Sequence, residues 1–142
     1  MTLANLEALV HSGGLKREPG DQSEFDGLMR SGQVRLLDAN NGGLSIESRF
    51  DLAYNAAHAL ALAALRWHGY RADNRYLVFQ CLPHTLGVGP DVWRILSHCH
   101  NLRNRGEYEG FLDINQALVV DLIRAGEKIQ VQVESLGSVV TG

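Results

Sequence analysis

A long apolar segment in the middle of the chain constrains the fold more than any other feature. Between residues 56 and 65 every residue except His58 is apolar, and a helix that is apolar almost all round belongs in the centre of a bundle. Ser45 is a suitable N-cap, and Gly69, which precedes an apolar residue, is typical of a helix C-terminus. The sequence therefore predicts one helix over about residues 46–68, surrounded by other helices.

The rest of the chain also has helical patterning. Apolar residues recur at helical spacing, and glycine or proline falls at the predicted breaks. The further helices are expected over about residues 3–10, from Asp21 to a break at 40–43, over 75–86 with a kink at Pro83, over 90–105 and over 114–134. Alternation of the strand type never lasts long enough to build a sheet.

These patterns predict an all-α fold, an up-and-down antiparallel bundle of five to six helices. The length and the lack of repeats or linkers indicate one domain over residues 1–142. We expect its core over about 21–134, with the helix at 3–10 in front of it and a frayed tail over 135–142.

The composition predicts a cytoplasmic protein. Nothing near the N-terminus has the pattern of a signal peptide. The sequence has no run of 18 apolar residues, so we expect no membrane-spanning helix. Cys81 and Cys99 are too few for a disulfide scaffold, so we interpret them as reduced core residues.

The charge is unevenly distributed along the chain. The net charge of −3 argues against indiscriminate nucleic-acid binding. Residues 66–105, however, contain six arginines and only two aspartates, and four of the six histidines also lie there. This pattern suits contacts to phosphate. It is also compatible with an ordinary solvated surface, because the chain uses 11 arginines and 2 lysines throughout.

Residues 103–108, Arg-Asn-Arg-Gly-Glu-Tyr, bring a guanidinium, an amide, a carboxylate and a phenol together around a glycine. Glycine inside a helix costs about 1 kcal/mol relative to alanine, so Gly106 needs another reason, which we expect to be a bend of the chain. Arg103 and Glu107 share one helix face, whereas Arg105 points elsewhere. The segment can bind a phosphate, hold two helices together, or do both.

A polar stripe crosses the long apolar helix. Asp51, Asn55 and His58 are spaced for one helix face, and Tyr54 stands beside them. Buried polar groups need partners, so the stripe should face a cleft, a subunit interface or a complementary polar segment. We expect Asp51 to pair with Arg103. The other expected partners are Asn104, Glu107 and Tyr108. The alternative is a structural network that fixes the register of the helices.

Two segments carry a resemblance to a known family. They are Ser-Arg-Phe-Asp-Leu-Ala-Tyr-Asn-Ala-Ala-His at 48–58 and Leu-Arg-Asn-Arg-Gly-Glu-Tyr at 102–108. Together they resemble the HEPN (higher eukaryotes and prokaryotes nucleotide-binding) family over most of the chain. The resemblance implies a HEPN-like bundle with a four-helix core, usually a homodimer. Many relatives are toxins that are paired with a small nucleotidyltransferase and that cut RNA without a metal.

The chain departs from the active members of that family, which carry an Arg-x(4–6)-His motif. The corresponding positions after Arg103 are Tyr108, Glu109 and Gly110. Tyrosine, with an ordinary pKa near 10, is a poor general base. Catalytic residues therefore stay open, with Arg103, His58, His100 and Tyr108 as the candidates. In some family pairs the transferase adenylylates a tyrosine of this motif, which makes Tyr108 the candidate acceptor.

A metal site is not expected. Cys81 and His84, and the run His98-Cys99-His100, supply suitable ligand types, but neighbouring residues on a helix diverge by about 100°. We therefore predict neither metal nor cofactor.

Three functions remain open from the sequence. The first is nucleotide or RNA-phosphate binding within a toxin–antitoxin-like pair with a nucleotidyltransferase. The second is a metal-independent endoribonuclease, and the third is a non-catalytic dimeric adaptor. For the first, the predicted phosphate-binding residues are Arg103, Asn104, Arg105, Glu107 and Tyr108.

Overall fold

The structure, a computed structural model, describes residues 2–139. Within this range the chain is mostly helical, as predicted, with seven helices and one small sheet. In chain order the elements are α1 Thr2–His11, β1 Leu15–Arg17, α2 Gln22–Ala39, α3 Ile46–Trp67, β2 Tyr70–Ala72, α4 Arg75–Gln80, α5 Leu82–Thr85, α6 Pro90–Glu109 and α7 Gln116–Glu134.

Helix α3 is the centre of the fold. It contacts α2, α4, α5, α6 and α7, and its buried side chains include many alanines, whose small size lets the neighbouring helices approach. The approach of α2 is closest at Gly32, where an added Cβ would lie 2.7 Å from Leu60 Cδ2 and 3.2 Å from the Ala56 carbonyl oxygen. The prediction of a buried central helix is confirmed.

Three of the predicted helix ends are also confirmed, namely the starts of α2 and α3 and the end of α3. The Ser45 hydroxyl accepts a hydrogen bond from the Ser48 amide at 3.1 Å, and the Asp21 carboxylate accepts one from the Glu24 amide at 2.9 Å. Gly69 follows α3 with a φ of +87°, a conformation that glycine adopts without strain.

The prediction that no sheet forms is wrong. Strands β1 and β2 pair antiparallel, with Leu15 opposite Ala72 and Arg17 opposite Tyr70. The left-handed turn at Gly69 reverses the chain after α3 and brings the two segments together. Each strand has three residues, which is too short for alternation to be recognised in a sequence.

Two predictions of helix bounds differ from the structure. The kinked helix at 75–86 is two helices, α4 and α5, which are separated at Cys81. Helix α6 continues to Glu109 and ends at Gly110, whose φ is +82°.

The tail is docked rather than frayed as far as residue 139. Trp67 Nε1 donates to the Ser138 carbonyl at 3.2 Å, and the Val139 amide donates to Gln22 Oε1 at 2.7 Å. Residues 140–142 of the predicted tail lie outside the described residues.

One buried arginine connects the sheet region to the core. Arg66 is 2% exposed, and its Nε donates to Glu24 Oε1 at 2.6 Å. Its other nitrogens donate to the carbonyls of Glu18, Pro19 and Tyr70 at 2.8–3.2 Å. Arg71 also pairs with Glu18 and Glu24, each at 2.7 Å. Two of the six arginines in the basic segment are therefore neutralised by glutamates earlier in the chain.

Candidate functional site

A buried tyrosine lies at the centre of the candidate site. Tyr54 on α3 is fully buried, and its hydroxyl is hydrogen-bonded to Nδ1 of His100 on α6 at 2.8 Å. Burial raises the pKa of the Tyr54 hydroxyl, although Arg103 and Arg75 act against this shift. The phenol therefore stays protonated.

Two guanidinium groups lie close to the Tyr54 ring. The Cζ atom of Arg103 is 5.1 Å from the ring centroid, and that of Arg75 on α4 is 5.7 Å away, within the range of cation–π contact. Arg75 Nη1 donates to Asn55 Oδ1, a neutral acceptor, at 2.8 Å. Among the described residues Arg103 pairs with one carboxylate, that of the exposed Glu107, at 3.4 Å. Of these two cations, only Arg103 has a carboxylate partner within residues 2–139.

Two histidines complete the group. Both ring nitrogens of His100 are engaged, because Nε2 lies 3.1 Å from the Asn104 amide nitrogen and Nδ1 contacts Tyr54. Burial, and then Arg103 and Arg75, lower the pKa of His100. Burial, followed by the same two arginines and His100, lowers the pKa of His58 to about 4. At neutral pH both imidazoles are therefore uncharged.

We call this group, Tyr54, His58, Arg75, His100 and Arg103, the Arg–Tyr cluster. Phe79 on α4 supports it from inside the core. The Phe79 ring is fully buried and meets Tyr54, His58 and His100 edge to face, with centroid distances of 5.7, 5.9 and 6.3 Å.

A groove of about 510 Å³ opens beside the cluster. Its walls are one face of α3, one face of α6 and the segment after α6. The lining residues are Glu47, Asp51 and Asn55 on α3, Arg103, Gly106 and Glu107 on α6, and Gly110, Phe111 and Leu112. Arg103 belongs to both the groove and the cluster.

A close approach of neighbouring residues explains Gly106. An added Cβ at Gly106 would lie 2.6 Å from Leu112 Cδ2 and 3.1 Å from the Phe111 carbonyl oxygen. Helix α6 continues through Gly106 to Glu109, so the glycine does not end the helix. The glycine instead lets residues 111–112 fold back onto α6 and close one end of the groove.

The structure brings most of the predicted site residues together. The side chains of Tyr54, Asn55, His58, His100, Arg103 and Asn104 meet in or beside the cluster, and Asp51 and Glu107 line the groove. The predicted ion pair between Asp51 and Arg103 is wrong. Arg103 turns toward the Tyr54 ring and Glu107, and within the described residues Asp51 forms no ion pair.

Two predicted phosphate-binding residues point away from the groove. Arg105 is exposed, and the Tyr108 side chain is 96% exposed. Five residues of helix turn Tyr108 about 140° from the direction of Arg103, which accounts for the difference. The expectation that Tyr108 enters the cleft is therefore wrong.

Arg75 and Phe79 are members of the site that the sequence did not reveal. Asn74 caps α4 by accepting a hydrogen bond from the Leu77 amide at 2.8 Å, which places Arg75 in the first helical turn. The Asn-Arg pair after a short polar stretch is the local signal. No spacing rule links that turn to α3 or α6, because the contacts are tertiary.

The possible metal ligands do not converge. Cys81 and Cys99 are buried, and burial raises the pKa of their thiols to about 11 and about 12. His98 is exposed, while His100 belongs to the Arg–Tyr cluster. Among residues 2–139 no three side chains of the usual ligand types are placed to hold a metal ion.

The low pKa of His58 predicts that the stability of the fold depends on pH. Its pKa is about 4 in the folded chain and about 6.5 when unfolded, so the unfolded chain binds the proton first as the pH falls. The free energy of unfolding therefore decreases as the pH falls from 6.5 to 4, by up to about 3 kcal/mol. Urea unfolding across this range should show a smaller pH slope for His58→Gln than for the exposed control His11→Gln. Equal slopes would contradict this assignment.

Among the described residues no helix combines the length and the apolar character that crossing a bilayer requires.

Comparison with known proteins finds no relatives of this chain. No protein-family model, curated protein or solved structure matches this chain.

Proposed function

We propose that this protein binds a phosphate-bearing ligand, a nucleotide or RNA, at Arg75 and Arg103. The observation that carries the proposal is the pair of guanidinium groups beside Tyr54, with one neutral amide and one exposed carboxylate as their partners. A guanidinium matches the geometry of a phosphate and can donate two parallel hydrogen bonds to it.

The neutral histidines support the same ligand. The two arginines contribute to the low pKa of His58, so a bound phosphate would offset that effect and raise the pKa toward its ordinary value. A protonated imidazole could then donate to the phosphate as well. Within the described residues His58 forms no hydrogen bond of its own, which leaves its ring available.

The resemblance to the HEPN family extends the proposal to a cellular role. On that basis the chain is a HEPN-like bundle with a four-helix core, a homodimer, and the partner of a nucleotidyltransferase in a toxin–antitoxin-like pair. Such a pair would work in the cytoplasm, where the thiols of Cys81 and Cys99 stay reduced. The exposure of Tyr108 suits its proposed role as an acceptor of a nucleotidyl group.

Metal-independent RNA cleavage is a second proposal, which His58 favours. It is a neutral imidazole next to two phosphate-binding candidates, the combination that could accept a proton from a ribose hydroxyl. His100 is less suitable, since Tyr54 and Asn104 occupy both of its ring nitrogens. RNA that is cut in the presence of a chelator by the natural protein and not by His58→Ala would distinguish cleavage from binding alone.

The binding proposal is tested by titrating ribose 5-phosphate and short single-stranded RNA calorimetrically. Arg75→Ala and Arg103→Ala should each weaken the affinity about 10- to 100-fold, because each removes a charge-assisted contact of about 1.5–3 kcal/mol. Arg105→Ala is the matched control, with the same charge change on the same helix, and should stay within about twofold.

Thermal unfolding of the same variants separates binding from stability. We expect small changes in Tm for all three. An equal loss of affinity in Arg105→Ala would indicate general charge attraction, and unchanged affinity in Arg75→Ala and Arg103→Ala would overturn the site. A large loss of stability with no ligand bound would favour the adaptor hypothesis.

A further inference from the structure

The groove beside the Arg–Tyr cluster has a second, acidic wall. Glu47, Asp51 and Asn55 are spaced one helical turn apart along α3 and form one stripe that faces Arg103 and Glu107 on α6. Glu107 is paired with Arg103, whereas Glu47 and Asp51 take part in no ion pair among residues 2–139. Phosphate binding alone does not explain two free carboxylates beside two arginines.

An exposed aromatic ring lies at the same groove. Phe111 is 62% exposed although it is a large apolar residue, and the contact of residues 111–112 with Gly106 fixes this segment against α6. An exposed ring in a groove is a stacking surface for a nucleobase, and base–aromatic stacking is tolerant of the base. The groove thus offers a guanidinium, an aromatic face and carboxylates to one ligand.

A nucleotide matches all three features, because its phosphate is anionic and its base carries hydrogen-bond donors. A carboxylate accepts hydrogen bonds and repels other acceptors. Guanine presents two adjacent donors, N1–H and the N2 amino group, whereas adenine, cytosine and uracil place an acceptor next to their donor. An acidic wall of this kind would therefore favour guanine over the other bases.

We propose that this groove binds the base of the nucleotide and prefers guanine, a proposal that rests on the proposed phosphate site. Asp51 accepts from N1–H and the N2 amino group, and Phe111 stacks on the ring. We assign this role to Asp51 because it lies one turn from Asn55, which receives the hydrogen bond of Arg75. Glu47 lies one turn farther from the phosphate site.

The test is calorimetric titration with GMP, AMP, CMP, UMP and ribose 5-phosphate. GMP should bind at least tenfold more tightly than the other nucleotides. Asp51→Asn should remove this preference and should not weaken ribose 5-phosphate, since losing a nearby negative charge favours an anion. Phe111→Ala should weaken every nucleotide and leave ribose 5-phosphate unchanged.

Glu127→Gln is the matched control, because it removes an exposed carboxylate of α7 that does not line this groove, and it should keep the natural preference. Single-stranded pentamers of adenosine, with and without one central guanosine, identify the source of the guanine. Tighter binding of the guanosine pentamer than of GMP assigns RNA, and the reverse assigns a mononucleotide.

Two results would overturn this inference. Equal affinities for the four nucleotides, or an unchanged GMP preference in Asp51→Asn, would exclude a guanine site while leaving the phosphate site intact if ribose 5-phosphate still binds through Arg75 and Arg103. Failure of ribose 5-phosphate and of every nucleotide to bind would instead overturn the phosphate site, and the guanine site with it.

Discussion

Replacing Arg66 by alanine should lower the free energy of unfolding by about 3–5 kcal/mol. The side chain is 2% exposed and holds the carbonyls of Glu18, Pro19 and Tyr70 together with the Glu24 carboxylate. Its removal leaves acceptors at the junction of α3 and the sheet without a donor, and each such loss is costly inside a protein. Urea unfolding at neutral pH measures the effect.

The control for Arg66→Ala is Arg30→Ala, which removes an exposed arginine on α2 and should change stability by less than about 0.5 kcal/mol. A loss of less than about 1 kcal/mol in Arg66→Ala would show that water replaces the guanidinium. Arg66 would then behave as an ordinary solvated arginine, which is the alternative that the sequence left open for the basic segment.

Replacing Phe79 by alanine should cost a similar amount, about 3–5 kcal/mol, and should also weaken phosphate binding. The ring is fully buried and packs edge to face against Tyr54, His58 and His100. Without the Phe79 ring, the three side chains lose the surface that holds them in place. Because Arg75 and Arg103 both contact the Tyr54 ring, their relative positions are then no longer fixed. Unfolding curves and ribose 5-phosphate titration measure the two effects.

Leu122→Ala separates stability from support of the site. Leu122 is a fully buried residue of α7 outside the Arg–Tyr cluster, and its truncation should cost about 2–5 kcal/mol. Its affinity for ribose 5-phosphate should stay close to that of the natural protein under conditions where both are folded. Equal losses of affinity in Phe79→Ala and Leu122→Ala would contradict the role of Phe79.

The sequence predicts the features of the fold that depend on neighbouring residues. The buried character of α3, the caps at Asp21 and Ser45 and the turn at Gly69 all follow from residues within a few positions of one another. The small sheet does not, because β1 and β2 are more than 50 residues apart in the chain. The burial of Arg66 could not be predicted for the same reason, because its partner Glu24 lies 42 residues away in the chain.

The candidate site was predictable to the extent that it uses one face of one helix. Spacing identifies Tyr54, Asn55 and His58, and it places His100 near Arg103. It does not determine which neighbour a flexible arginine selects, so Arg103 contacts the Tyr54 ring instead of Asp51. Arg75 enters from a separate short helix, and only the packing of α4 against α3 and α6 brings it to the site.

The central claim is that Arg75 and Arg103 bind one phosphate together. The most direct measurement follows the side-chain Nε–Hε resonances of the arginines by NMR while ribose 5-phosphate is added. The structure predicts that the Arg75 and Arg103 signals shift together and saturate with a single Kd, while that of Arg105 stays in place. Stationary Arg75 and Arg103 signals, or equal shifts at Arg105, would contradict the account.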